Sequence, residues 1–454
     1  MQKTTAVVIG AGPAGLAMSH CLSERSIDHL VLERSEVANS WRTERWSSLR
    51  LLTPNWLTRL PGWTYQGHDP DGYMPASEVV AFLDGYSRAS GAPIQTNTTV
   101  VAVTAFDDGY AVTTSHGQIS CRAVVVATGA CSTPKIPAVA TELPPQITQL
   151  APIHYRNPDN LDAGRVLIVG ASASGVQLAD ELIRSGHDVT LAVGAHTRLP
   201  RMYRGMDIHW WMDAIGLLDT SYREVDDIVK ARRLPSLQLV GSPEHRTLDL
   251  NSLTGIGVNL VGRFVGVNGG SAQFSGSLAN LCADADLKMN RLLEEIDQFA
   301  RDHGLDSDLL DADRPTPTVV PTPRTTVKLS EFSTVIWATG FRPSYPWLDE
   351  GVLDRKGGII HDGGVMKPRG MYVLGLPFTR RRNSSFLDGV GPDAQFLSAH
   401  LVAHLNGHAT RSHRTHRTLV ERPIADGSTR ELNGNRPAKA SLTKRAATSP
   451  RAYP

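Results

Sequence analysis

Two glycine-bearing stretches hold most of the chemistry this chain could perform. Gly10-Ala-Gly-Pro-Ala-Gly15 follows the apolar run Thr4–Ile9 and precedes a helical pattern over Leu16–Arg25. In that setting Gly10 permits a sharp turn, Gly12 lets the backbone approach a pyrophosphate, and Gly15 lets the helix lie close on the strand. Pro13 and Ala14 complete the turn at the helix start, whose unpaired N–H groups and partial positive charge suit phosphate. Glu33 ends the next strand, where a carboxylate binds ribose hydroxyls and repels a 2′-phosphate. The first turn is therefore expected to hold FAD or NAD, not NADP. Ser40-Trp41-Arg42 adds polar and aromatic groups near the ribose end, the alternative being a core Trp beside a solvated Arg.

The second stretch, Gly170-Ala-Ser-Ala-Ser-Gly175, keeps the outer glycines but places Ser172 at the middle one. Ser172 and Ser174 are small enough for close approach and carry hydroxyls for phosphate oxygens. No acid follows the next strand. Gly194-Ala-His196-Thr-Arg198 comes instead, then Arg201 and Arg204. Loss of the ribose acid beside basic residues favours a 2′-phosphate, so NADPH is expected with NADH as the alternative, and His196 and Arg198 are the candidate contacts. An ordinary exposed basic loop is the competing reading.

The elements that must position these turns form two strand–turn–helix–strand units. One runs through His29–Glu33; the other uses strands at Arg165–Val169 and Asp188–Val193 around a helix Val176–Ser185. Between them, Ser77–Ser90 has helical spacing, and Thr99–Thr104, Tyr110–Thr114 and Gln118–Ser120 read as short antiparallel strands. Ala123–Ala127 ends in Thr128-Gly129, and a near-copy, Thr334–Ala338, ends in Thr339-Gly340; the pair suggests crossings between domains. Leu278–Ala300 is helical and Arg314–Thr326 a Pro/Thr loop. The expected fold is α/β, with two Rossmann-like dinucleotide-binding domains. The boundaries expected are 1–157 and 326–408 for a split FAD domain, 158–325 for an NAD(P) domain, and 409–454 for a basic, disordered tail.

These motifs resemble the class B flavoprotein monooxygenases, a group that includes flavin-containing and Baeyer–Villiger monooxygenases and the plant auxin-forming enzymes. The resemblance covers about residues 3 to 405. It is carried by the two glycine turns, Glu33, Ser40-Trp41-Arg42, Val125–Gly129, Trp337-Ala-Thr-Gly-Phe-Arg-Pro343 and Ser384–Gly391. It implies a glutathione-reductase-like two-domain flavoprotein with FAD and NADPH, acting on a small organic molecule with O2. By resemblance, NADPH reduces FAD, oxygen adds as a C4a-(hydro)peroxyflavin, and one oxygen atom enters the substrate at N, S or a ketone. It adds Arg34, Val100, Thr128, Gly129, Thr339, Gly340 and Asp388 to the residues expected at the cofactors, with Thr53 and Asn55 as weak candidates beside the isoalloxazine. One departure is clear: Ala151 occupies the family's His position before Tyr155-Arg156, and no Phe-x-Gly precedes it. That departure weakens the Baeyer–Villiger reading most. A flavin reductase or dehydrogenase without oxygen insertion is the alternative enzyme, and a flavin-binding redox sensor the alternative of another class.

Composition limits the rest. With 454 residues, 41 % hydrophobic and 20 % charged, the chain is expected to build sizeable cores. The net charge of +1 conceals an uneven spread, because residues 409–454 carry ten basic and three acidic side chains, leaving a net −6 on the remainder. Four cysteines, none in a C-x-x-C pair, disfavour a dithiol reductase and suit a reducing cytoplasm. The glycines interrupt the first apolar run, so neither a signal peptide nor a membrane span is expected, nor a nucleic-acid partner. His400, His404 and His408 share i, i+4, i+8 spacing but have no acidic or Cys partner, so no metal is expected. The basic run Arg380-Arg-Arg382 reads as a solvated loop, with an acidic substrate or cofactor phosphate as the alternative.

Overall fold

The computed structural model describes residues 1–412 of the chain. In chain order its principal elements are β1 (Ala6–Ile9), α1 (Pro13–Glu24), β2 (His29–Leu32), β3 (Ile94–Gln95), β4 (Ala123–Val126) and β5 (Thr148–Leu150). Then come β6 (Arg165–Val169), α2 (Ala173–Arg184), β7 (Val189–Ala192), α3 (Ile208–Ala214), β8 (Asn259–Val261) and α4 (Leu278–Asp302). The last are β9 (Phe332–Trp337), β10 (Met371–Val373) and α5 (Val390–Ser412).

The two parallel sheets are built alike. The first has the order β10-β4-β1-β2-β3, extended beyond β10 by the antiparallel strands Val365–Met366 and His361–Asp362. The second is the all-parallel β5-β9-β6-β7-β8. Their strands are apolar runs because both faces are covered. In the first sheet Ala6, Val8 and Val125 face α1, α5 and the helix Ala76–Ala89. Val7, Ile9 and Val126 face a four-stranded sheet formed by residues 2–3 and 100–121. In the second sheet Val166 and Ile168 pack on α2, whereas Leu167 and Val169 pack on the antiparallel strands Phe264–Asn268, Ser271–Phe274 and Thr326–Lys328. A further core gathers α3, α4 and the apolar residues Leu57, Leu199 and Leu239.

Sheet membership corrects the expected boundaries. Thr148–Leu150 precedes the expected NAD(P) unit and Phe332–Trp337 follows it, yet both pair within the second sheet. The physical reason lies in the glycine turns. A Cβ on Gly10 would stand 2.6 Å from the Ala127 carbonyl oxygen, and one on Gly170 would collide with that of Ala338. Each Ala-Thr-Gly segment therefore belongs to its own glycine turn, one per sheet. The chain crosses between the sheets just beyond, where Lys135 N donates to Gly340 O (2.9 Å) and Arg342 N to Thr133 O (2.9 Å).

At the other end, α5 continues through Ser412, past the expected start of the tail. The expected disorder from residue 413 onward lies outside the described residues. Among the described residues, no helix is long and apolar enough to cross a membrane.

Candidate functional site

The two turns are structural duplicates. Gly10 and Gly170 have φ of 109° and 112°, in the region where a side chain is strained. A Cβ on Gly15 would overlap the Gly10 carbonyl oxygen, and one on Gly175 that of Gly170. Neither helix is closed at its start by a side chain: Gly12 caps α1 and Ser172 caps α2, both with extended backbone and no side-chain hydrogen bond to the helix. The first intrahelical bonds are Leu16 N to Gly12 O (3.0 Å) and Val176 N to Ser172 O (3.1 Å). The earlier N–H groups, those of Ala14 and Gly15 and of Ala173, Ser174 and Gly175, remain as donors. Nothing stands within 4 Å of the position a Cβ on Gly12 would take. That cradle fits a pyrophosphate.

At the end of β2, Glu33 is buried and accepts from Ala11 N (2.8 Å, Oε2) and Ser35 N (3.2 Å, Oε1). One lone pair on each oxygen is left for a ribose diol. Thr98 N donates to Glu33 O (2.8 Å), which brings Val100, the first residue of the strand Val100–Phe106, to the same edge. Thr128 is exposed and Gly129 has φ of 72° at the end of β4. Trp41, in the short helix Asn39–Thr43, packs against the cores of both sheets, with Arg45 over its ring at 5.4 Å. Arg34 and Arg42 are engaged elsewhere, with Glu44 (2.8 Å) and Asp84 (2.5 Å) respectively. On the second side, Thr339 donates to Lys135 O and Gly340 has φ of 83°.

Asp388 lies two residues before α5, buried, with Asn383 Nδ2 donating to its Oδ2 (3.1 Å). Its Oδ1 and the Oδ1 of Asn383 are buried without partners. Burial pushes the Asp388 carboxyl up to about 6, against the pull of Arg59 at 4.0 Å. Orphaned acceptors of this kind mark where a hydroxyl-bearing ligand would complete the bonding. Sequence reading did not single out Asn383 or Gly375. A Cβ on Gly375 would stand 2.7 Å from the Ala14 Cβ, so the loop after β10 closes onto the first turn of α1.

Two candidates are corrected. Arg198 is not an exposed 2′-phosphate contact: its side chain is 3 % exposed, held by Asp249 (2.7 Å), Asp286 (2.6 Å) and the Thr316 carbonyl (2.8 Å). Its donors are spent on joining three segments of the second unit. Arg201 and Arg204 are likewise paired, with Asp207 (3.0 Å) and Asp306 (2.6 Å). Asn55 is also committed, its Nδ2 donating to Asp69 O (2.9 Å) while its Oδ1 accepts from Met74 N (2.9 Å). Its carboxamide shapes a loop. Thr53 lies beside it, half-buried. His196 is buried, with Nδ1 on Gly194 O (3.0 Å) and Nε2 unpartnered, and burial lowers its pKa.

The arginines at 380–382 are packed at the base of α5. Arg380 lies 3.3 Å over the Phe396 ring, Arg381 pairs with the buried Asp393 (2.9 Å), and Arg382 lies 5.1 Å over Phe378. His400 faces Tyr372 (3.1 Å). Among the described residues no cluster of three His, Cys, Asp or Glu side chains is placed to hold a metal.

The family model described as pyridine nucleotide-disulphide oxidoreductase matches residues 7–205. An uncharacterised CzcO-like oxidoreductase of Geobacillus kaustophilus is 32 % identical over 405 residues, covering 88 % of this chain and 98 % of that protein. A probable indole-3-pyruvate monooxygenase of Arabidopsis thaliana, YUCCA9, is 24 % identical over 400 residues, 83 % of this chain and 84 % of its own. The solved flavin-containing monooxygenase of Stenotrophomonas maltophilia shares the fold with a TM-score of 0.62 at 21 % identity, covering 89 % of this chain and 100 % of that one. With duplicated nucleotide turns in one chain and a relative this similar along nearly its whole length, the chain belongs to the flavin-containing monooxygenase-like NAD(P)/FAD oxidoreductases and is a flavin-dependent enzyme.

Proposed function

We propose that the enzyme is an FAD- and NADPH-dependent monooxygenase that transfers one oxygen atom from O2 to a small organic substrate. FAD occupies the first turn and NADPH the second, each held by the unit built on its own sheet. The observation that carries this reading is the duplication itself: two glycine turns, each opening an uncapped helix and each packed on its own Ala-Thr-Gly segment. Only the first carries a carboxylate at the following strand end. The bound flavin supplies hydride acceptance and oxygen activation, and the protein supplies position and dryness. Glu33 orients the ribose, the start of α1 neutralises the pyrophosphate, and Asp388 accepts from a ligand hydroxyl at the start of α5.

The cysteines support oxygen chemistry over disulfide reduction. Cys21, Cys121 and Cys282 are buried free thiols, pushed by burial to about 11, about 12 and about 11; Cys131 is the exposed one. They offer no dithiol to relay electrons. One observation favours a reductase without oxygen insertion: Ala151, where the family places a His, is fully buried.

The test is oxygen bookkeeping. Purified enzyme is given NADPH, O2 enriched in oxygen-18, and a panel of amines, sulfides, ketones and 2-oxo acids. Incorporation of one labelled atom per NADPH into any of them supports the reading. Peroxide released in full stoichiometry, whatever the substrate, replaces it with the reductase. The commonest plant relatives' printed activity on indole-3-pyruvate makes a 2-oxo acid the first substrate to try.

A further inference from the structure

The inference concerns the coenzyme end of the second unit, and it rests on the proposed placement of NADPH there. Once Arg198, Arg201 and Arg204 are committed to carboxylates, the local sequence leaves no cation at the end of β7 to read a 2′-phosphate. Structure supplies one from elsewhere. β7 and β8 are parallel neighbours with Ala192 opposite Val261, and Val193 N donates to Val261 O (2.9 Å). Continuing that register puts Arg263 opposite Gly194, on the edge where both strands end.

Comparison with the first unit shows what that position does. Ile9 lies opposite Leu32 and Val169 opposite Ala192, so Glu33 and Val193 are equivalent residues, as are Arg34 and Gly194. Where the first unit offers a carboxylate, the second offers an apolar side chain followed by a residue with none. A Cβ on Gly194 would lie 3.9 Å from Arg263 Nε, so the guanidinium reaches across the strand end over this glycine. Its backbone is fixed, with Ser275 N donating to Arg263 O (2.8 Å). The side chain is exposed and makes no hydrogen bond or ion pair with the described residues. Nearby acids do not compete: Asp286 is held by Arg198 (2.6 Å) and Asp284 by Lys288 (2.6 Å).

We infer that Arg263, reaching over Gly194 from the neighbouring strand, is the specificity residue that binds the 2′-phosphate of NADPH. A guanidinium meets a phosphate through paired, charge-assisted hydrogen bonds that an unphosphorylated ribose cannot make. Gly194 is what leaves room for it.

The test uses flavin-loaded enzyme at low ionic strength and two fragments, 2′,5′-ADP and 5′-AMP, titrated by calorimetry. Wild-type enzyme binds 2′,5′-ADP more tightly, and Arg263→Ala loses roughly tenfold or more of that preference. Arg263→Lys restores part of it, because the charge returns without the planar fork. In parallel, the ratio of kcat/KM for NADPH over NADH falls in Arg263→Ala by a similar factor. The residue is exposed, so a folding defect does not confuse the reading. Equal preference in wild type and Arg263→Ala overturns the inference. Wild-type flavin reduced equally by NADH and NADPH overturns it too, while leaving the proposed function standing. Flavin reduced by neither coenzyme overturns both.

Discussion

The guanidinium of Arg201 donates two hydrogen bonds to the carbonyl oxygen of Leu52, at 2.8 and 2.6 Å. The two residues are 149 positions apart, Arg201 after β7 in the second unit and Leu52 just before Thr53 in the first. Arg201 has no exposed surface, its Nε donates to Asp207 (3.0 Å), and it lies 4.6 Å over the ring of Tyr73. Tyr73 in turn donates to Asp207 (2.5 Å). This buried cluster fixes the coenzyme unit against the loop that carries Thr53 and Asn55, so it positions one nucleotide against the other.

Replacing Arg201 with Ala leaves Asp207 buried without its charge partner and the Leu52 carbonyl without donors. Breaking a buried pair in this way costs about 3–5 kcal/mol. The denaturant midpoint of Arg201→Ala is expected to fall accordingly. Enzyme that still folds is expected to show slower flavin reduction at saturating NADPH, with flavin content retained. An unchanged midpoint would remove Arg201 from this role.

Asp207 makes the cluster sensitive to acid. Burial alone would raise its pKa, but Arg201 and the hydrogen bonds from His209 and Tyr73 outweigh that and hold it at about 2, below the ordinary 3.8. A depressed carboxylate contributes stability above its unfolded value and loses it as pH falls through the folded one. The window is from about pH 4 to about pH 2, and the contribution is about 2 kcal/mol. Stability against urea, followed across this range, should fall more steeply in wild type than in Asp207→Asn. Parallel curves would show that the carboxylate is not linked to folding.

Asp388 has the opposite sign. Its folded value of about 6 lies above the ordinary 3.8, so ionising it costs the flavin-free protein about 3 kcal/mol by neutral pH. That stability is present below about pH 4 and lost as pH rises through about 6. Flavin-stripped Asp388→Asn is therefore expected to melt higher than stripped wild type at pH 7.5, with the difference vanishing near pH 4. Loaded protein should behave in the reverse way, the Asn variant retaining less flavin after dialysis because it has lost an ionised acceptor. A variant that melts no higher when stripped would place the orphaned carboxylate outside any ligand role.

Local pattern carried the glycine turns, Glu33 and the duplicated Ala-Thr-Gly segments, because strand, turn and helix follow one another within about twenty residues of sequence. Sheet membership was not legible. The run Phe332–Trp337 looks the same whichever sheet receives it, and only the close approach of Ala338 to Gly170 decides. Side-chain commitments were equally hidden. Arg198 sits among basic residues in the sequence, yet its partners Asp249 and Asp286 lie 51 and 88 positions away. Arg263 escaped notice for the same reason, since its relation to Gly194 runs through strand register and not through spacing.

The reassignment of Arg198 has its own consequence. If it read the 2′-phosphate, Arg198→Ala would raise the KM for NADPH selectively and leave the fold alone. In the structure its guanidinium ties Asp249, which caps the helix Leu250–Gly255, to Asp286 on α4 and to the Thr316 carbonyl. Removing it leaves two carboxylates in a pocket with little solvent, so the cost falls on stability, again about 3–5 kcal/mol. Arg198→Ala is therefore expected to lower the unfolding midpoint and to impair NADPH and NADH alike, in contrast to Arg263→Ala. Arg198→Lys, which keeps the charge but not the fork, should recover part of the stability. A selective rise in the NADPH KM with an unchanged midpoint would return the phosphate contact to Arg198.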